Sequence, residues 1–144
     1  TQSVALAEGL SMAMKASIAE LEVEPTRLAT LRDELERRLL AALPGTRIAG
    51  AGAPRVANTS NLCFPGADGE GVLIALDLEG ICVSTGAACA SGSLTPSHVL
   101  TAMGLTPSDA QATIRISLGR TSTVEHVDRV VAALSRLVPQ VRSS

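Results

Sequence analysis

The chain has 144 residues, 46% of them hydrophobic and 18% charged, which suits one compact domain and excludes a disordered tail. Twelve basic and fourteen acidic side chains leave a net charge of −2, and the only aromatic residue is a single Phe. With neither a basic stripe nor a stacking surface, nucleic acid is not an expected partner. No apolar run approaches the ~18 residues of a membrane span. No basic segment followed by an apolar stretch marks a signal peptide, so a cytoplasmic protein without a membrane partner is expected. The chain opens on Thr1 rather than Met, in a segment that already reads as the start of a helix. It is therefore expected to be a piece of a longer chain.

In chain order, residues 3–21 carry Val4, Leu6, Leu10, Met14, Ile18 and Leu21 at mostly helical spacings, predicting a helix with one broad apolar face. Pro25 suits the first turn of a second helix. That helix has Leu28, Leu31, Leu35 and Leu39 on one stripe and Arg32, Asp33, Glu36 and Arg37 opposite, and it ends at Pro44-Gly45. Residues 49–58 read as a turn-rich loop and Thr59 to Phe64 as a short strand. Asp68 or Gly69 opens a helix that stops at Gly80, and Ile81-Cys82-Val83 reads as a buried strand.

Nearly every residue of 84–93 is small, and the pattern breaks there. Thr95 and Pro96 are the expected N-cap and first position of the next helix. Thr113 to Leu118 alternates as a strand with Ile114, Ile116 and Leu118 on one side. Ser122 and Glu125 suggest a capping box for a last helix that buries Val127, Val130, Val131, Leu134, Leu137 and Val138. The fold class is α+β, with helices packed on a small mixed sheet.

An odd number of cysteines and no signal peptide argue against a disulfide scaffold, and the absence of any CxxC pair gives no expected metal site. Cys63 and Cys82 each sit between apolar neighbours and read as inert core thiols. Cys89 lies among Gly86, Ala87, Ala88, Ala90, Ser91 and Gly92, which leave a sulfur open to attack; no neighbour in sequence is present to lower its pKa. On composition alone, a flexible Gly/Ser loop that happens to hold a cysteine is the favoured reading. His98 and His126 read as exposed helical histidines.

Residues 84–93 (STGAACASGS), followed by Pro96-Ser97-His98-Val99-Leu100, resemble the active-site segment of cysteine desulfurases, in the NifS/IscS-like branch with a long cysteine loop. The resemblance runs along the chain. Asn58-Thr59-Ser60-Asn61 with Phe64, then Glu70-Gly71, then Ile114-Arg115-Ile116-Ser117-Leu118-Gly119-Arg120, then Thr123, Glu125 and Asp128 follow in the family's order. It implies the small C-terminal domain of a fold-type I, pyridoxal-phosphate-dependent transferase. In that layout residues 1–22 are the interdomain helix and end of an absent large domain, and 23–144 the small domain with the cysteine loop.

By the same resemblance, Cys89 accepts sulfur from L-cysteine as a persulfide, leaving L-alanine. Arg115 holds the substrate carboxylate, to which a guanidinium fork is matched. Thr1 reaches the cofactor phosphate of the other subunit of a homodimer. Arg120 reads as structural. The sulfur acceptor would be a protein such as an iron–sulfur scaffold. The family's Schiff-base lysine follows a Ser-x-His motif that the single lysine, Lys15, does not match. The isolated chain is thus expected to be inactive. Two other readings compete: a stand-alone sulfur-carrier domain receiving a persulfide on Cys89, and a structural or oligomerisation domain with a spectator cysteine.

Overall fold

A computed structural model describes residues 3–86 and 95–142 of the chain. The elements are α1 (Val4–Ala19), α2 (Glu24–Ala42), β1 (Arg47–Ile48), β2 (Thr59–Cys63), α3 (Gly69–Leu78) and β3 (Ser84–Thr85), then α4 (His98–Ala102), α5 (Pro107–Gln111), β4 (Thr113–Ser117) and α6 (Val124–Val141). The strands form one sheet in the order β1-β2-β4-β3. Among the described residues every pairing is antiparallel, so the mixed sheet expected from sequence is corrected. The class itself is α+β.

Alternation decides what each sheet face meets, since successive side chains of a strand point to opposite sides. Leu62 of β2 and Ile114 and Ile116 of β4 are buried on the inner face. They pack with Leu31, Leu35 and Leu39 of α2, Val72 and Leu76 of α3, and Val127, Leu134 and Val138 of α6. Burying each such side chain contributes roughly 1.5–3 kcal/mol. This apolar layer fixes the register of β2 on β4, because a one-residue slip would turn Ile114 and Ile116 outward.

The Leu31/Leu35/Leu39 stripe forms as predicted, with Pro25 in the first turn of its helix. Glu36 does not lie on a solvent face as expected: it is buried, with Arg55 of the following loop as its ion-pair partner. The caps also move. Ser97, not Thr95, caps α4, its Oγ accepting from the Leu100 N–H at 3.5 Å. Thr123 is the N-cap of α6, its N–H donating to Nδ1 of His126 at 3.2 Å. Ser122 instead accepts from the Gly119 N–H at 2.9 Å and tightens the turn after β4. The strand expected at 81–83 falls at Ser84–Thr85, and Cys82 is exposed rather than buried. Of that apolar run Ile81 is buried in the core and Val83 packs half-buried against it.

Two arginines hold the end of β4. Arg27 donates to the carbonyls of Ser122 at 2.7 Å and Arg120 at 3.0 Å, fastening the turn to α2. Arg120 pairs with Glu20 at 2.5 Å, linking the same turn to the end of α1. Helix α1 buries none of its residues: Val4, Leu6, Leu10, Met14 and Ile18 are all more than half exposed. Among the described residues no helix is long and apolar enough to cross a membrane.

Candidate functional site

The outer face of the sheet carries polar side chains in rows. Because directly paired residues share a face, Arg47, Cys63 and Thr113 form one row, Asn61, Arg115 and Ser84 the next, and Thr59 with Ser117 the last. The first row is closed off by α5. The Thr113 hydroxyl donates to the Ala110 carbonyl at 2.8 Å, and the Cys63 thiol donates to the Asp109 carbonyl at 3.4 Å. Arg47 and Asp109 pair at 2.7 Å over the top of them.

That setting makes Cys63 unreactive. Burial pushes its thiol pKa up, Asp109 adds to the effect, and Arg47 only partly opposes it. The Arg47 guanidinium in turn holds the Asp109 carboxyl below its ordinary range. A nucleophile requires thiolate and access, and Cys63 has neither.

The second row differs. Arg115 stands half-buried between Ile114 and Ile116, both turned inward, and so projects from the outer face. Among the described residues its guanidinium has no carboxylate and no hydrogen-bond partner, whereas Arg27, Arg32, Arg37, Arg38, Arg47, Arg55, Arg120 and Arg136 are each ion-paired. An unpaired guanidinium on a fixed strand is suited to receive a carboxylate through two parallel N–H···O bonds. Beside it, the buried Oδ1 of Asn61 has no hydrogen-bond partner among the described residues.

Ser84, on the other flank of Arg115, belongs to the strand that leads into the cysteine segment. Gly86 closes that strand at φ 25°, and a Cβ placed on it would lie 3.2 Å from the Cβ of Ser97. Gly86 and Ser97, on either side of residues 87–94, are therefore close neighbours, one strand away from Arg115. Cys89 falls within 87–94 and Thr1 at the first residue, both outside the described residues.

Of the remaining candidates, His98 is exposed at the first position of α4, His126 is exposed in the first turn of α6, and Lys15 is exposed on α1. Among the described residues no group of three His, Cys, Asp or Glu is placed to hold a metal. Sequence reading found Arg115 but passed over Asn61 and Ser84. The alternation around Arg115 shows which face it takes, while its neighbours depend on strand register.

Comparison with known proteins gives consistent relationships. The family model for aminotransferase class-V matches residues 1–130. The cysteine desulfurase NifS of Azotobacter vinelandii is 39% identical over 143 residues, covering 99% of this chain and 36% of that protein. A cysteine desulfurase of Klebsiella pneumoniae is 44% identical over 118 residues, covering 82% of this chain and 30% of its own length. Among solved structures, a NifS-like protein from Rickettsia africae superposes with a TM-score of 0.68 at 32% identity, over 78% of this chain and 28% of that one. Another NifS-like protein gives a TM-score of 0.76 at 30% identity, over 92% and 33%. The chain spans about a third of the length of the curated relatives it matches.

Proposed function

This chain belongs to the aminotransferase class-V family, and we propose that it is the C-terminal part of a pyridoxal-phosphate-dependent cysteine desulfurase whose acceptor thiol is Cys89. The observation that carries the reading is Arg115, without a partner among the described residues, on the outer sheet face and strand-paired to Ser84, from which the cysteine segment departs. A carboxylate receptor on β4 and the tether of a thiol on β3 thus lie on neighbouring strands of the sheet. Relatives named cysteine desulfurase across nearly the whole chain support the substrate, L-cysteine.

In this reading residues 23–144 form the small domain, and residues 1–22 belong with a large domain. That the apolar α1 buries none of its residues supports that division. The described residues suit a substrate carboxylate but not the cofactor itself: Lys15, the one lysine, lies exposed on α1. Pyridoxal phosphate would be held mainly by the large domain, with Thr1 reaching the phosphate across a homodimer. When bound, it supplies an electron sink for the carbon skeleton of the substrate.

This chain's own residues do the rest. Arg115 grips the α-carboxylate and so fixes the orientation of the cysteine side chain. Cys89, as thiolate, attacks the substrate sulfur and the C–S bond breaks. The bond's electron pair stays with carbon, which takes a proton and leaves as L-alanine; the sulfur stays on Cys89 as a persulfide. The persulfide then passes to an acceptor such as an iron–sulfur scaffold protein, in the cytoplasm.

The test uses the full-length protein with pyridoxal phosphate and L-cysteine. Alanine should form in step with sulfide under reducing conditions, and without reductant the Cys89 peptide should gain the mass of one sulfur atom. Cys89→Ser should abolish both, and the 144-residue chain alone should release no sulfide. Alanine formation undiminished in Cys89→Ser would refute the assignment.

A further inference from the structure

We propose that Asn61 is a positioning residue for Arg115, holding its guanidinium in the orientation that receives the substrate carboxylate. The inference rests on the reading of Arg115 given above and adds a residue to it.

The geometry comes from the ladder. Asn61 of β2 lies directly opposite Arg115 of β4. The Asn61 carbonyl accepts from the Ala49 N–H at 2.9 Å, on the other side of β2. Phe64 N–H donates to Ala112, and Leu118 N–H to Asn58, so the hydrogen-bonded pairs between β2 and β4 fall on the even-numbered positions of β2. Asn61 and Arg115 are therefore a non-hydrogen-bonded pair, the type whose side chains approach most closely, with Cβ atoms about 4.5–5.5 Å apart.

Two complementary groups meet there unsatisfied. The Oδ1 of Asn61 is buried and accepts no hydrogen bond, and the guanidinium of Arg115 donates none among the described residues. A buried amide oxygen without a partner is costly, and a strand position on this face would otherwise favour a β-branched side chain. Arg115 carries five N–H donors on a planar fork. One turned to Oδ1 of Asn61 satisfies the amide and leaves the outer pair free for a carboxylate. On the opposite flank the Ser84 hydroxyl donates to the Thr85 carbonyl at 3.2 Å.

The experiment is a double-mutant cycle in the full-length protein, reading KM for L-cysteine separately from kcat. Asn61→Leu, similar in size but without the acceptor, should raise KM roughly tenfold and leave kcat within about twofold. Asn61→Ser, smaller and also lacking the amide oxygen, should repeat the effect and guards against misfit of Leu. Asn61→Asp places a carboxylate against the guanidinium, where it competes with that of the substrate, and should also raise KM. In the Arg115→Ala background, which itself raises KM, Asn61→Leu should add less than about twofold. In the 144-residue chain labelled with 15N-arginine, the Arg115 side-chain N–H should exchange faster with solvent after Asn61→Leu.

An equal KM increase in both backgrounds, or unchanged exchange of Arg115, overturns the proposal. If Asn61 variants change nothing while Arg115→Ala raises KM, the role of Asn61 falls and the reading of Arg115 survives. If Arg115→Ala leaves KM unchanged, both fall.

Discussion

Glu36 and Arg55 form a two-pronged ion pair, with oxygen–nitrogen distances of 2.7 and 3.0 Å, between α2 and the loop before β2. Glu36 is the deeper partner, its side chain 7% exposed against 20% for Arg55. Burial alone would raise the Glu36 pKa, but hydrogen bonds from Arg55 and Ser60 and the charges of Arg55 and Arg32 together bring the net direction down.

The pair should therefore respond asymmetrically to truncation. Arg55→Ala strands a carboxylate inside the fold and should cost about 3–5 kcal/mol at neutral pH. Glu36→Ala leaves an arginine near the surface that can reach water, and should cost less, about 1–3 kcal/mol. The sign with pH follows from the lowered folded-state pKa. The pair's contribution is complete above the ordinary carboxylate value of 4.5 and is lost as pH falls through the lower folded value. Denaturant unfolding of the parent and Arg55→Ala should thus converge in acid. A difference that widens below pH 4.5 would contradict the assignment.

Glycine 69 should be irreplaceable for a packing reason. A Cβ there would run into the carbonyl oxygen of Gln111, where α3 begins against the junction of α5 and β4. Gly69→Ala should lower stability by about 1–3 kcal/mol. Gly9 is the control, since a Cβ there meets nothing within 4 Å. Gly9→Ala should be neutral or stabilising by up to about 1 kcal/mol, read as added helical signal from α1.

The cysteines should separate into reactive and silent. Cys63 is 1% exposed and its thiol pKa is raised by burial, so it should react with a thiol reagent only at the rate of local unfolding. Cys82 is exposed and should label in the native state along with Cys89. Mass mapping after brief alkylation should find Cys63 unmodified, and Cys82→Ser should leave Cys89 as the only fast site. Rapid native labelling of Cys63 would mean that α5 does not cover it.

Much of the fold was legible because its signals are local. The Leu31/Leu35/Leu39 stripe, the alternation of Ile114 and Ile116, and Gly80 at φ 70° after α3 each declare themselves within a few residues. Glu36 was misread because the partner that permits its burial lies 19 positions away in a loop. The strand near Cys82 was misplaced because β3 is polar: it pairs at the edge of the sheet through Ser84 and Thr85, while Ile81 enters the core without being in a strand. Arg115 was identified by a family pattern, but its row with Asn61 and Ser84 exists only once β2, β4 and β3 are in register. Periodicity gives the face a residue takes; it does not give its neighbour across the ladder.

That row also makes Arg115 the point where charge and geometry can be separated. Arg115→Lys keeps a positive charge on the same strand but replaces a planar fork with a single ammonium group. A substrate carboxylate held only by charge would tolerate the change. One held by two parallel hydrogen bonds would lose alignment as well as affinity, which affects the sulfur atom at the far end of the substrate. In the full-length protein Arg115→Lys should raise KM for L-cysteine about 10- to 100-fold and also lower kcat, with Arg115→Ala lower still in kcat/KM. Arg115 lies at the strand's outer face, away from the Ile114 and Ile116 core contacts, so the thermal midpoint of either variant should stay within a few degrees of the parent. A large drop in that midpoint would instead mark Arg115 as part of the scaffold.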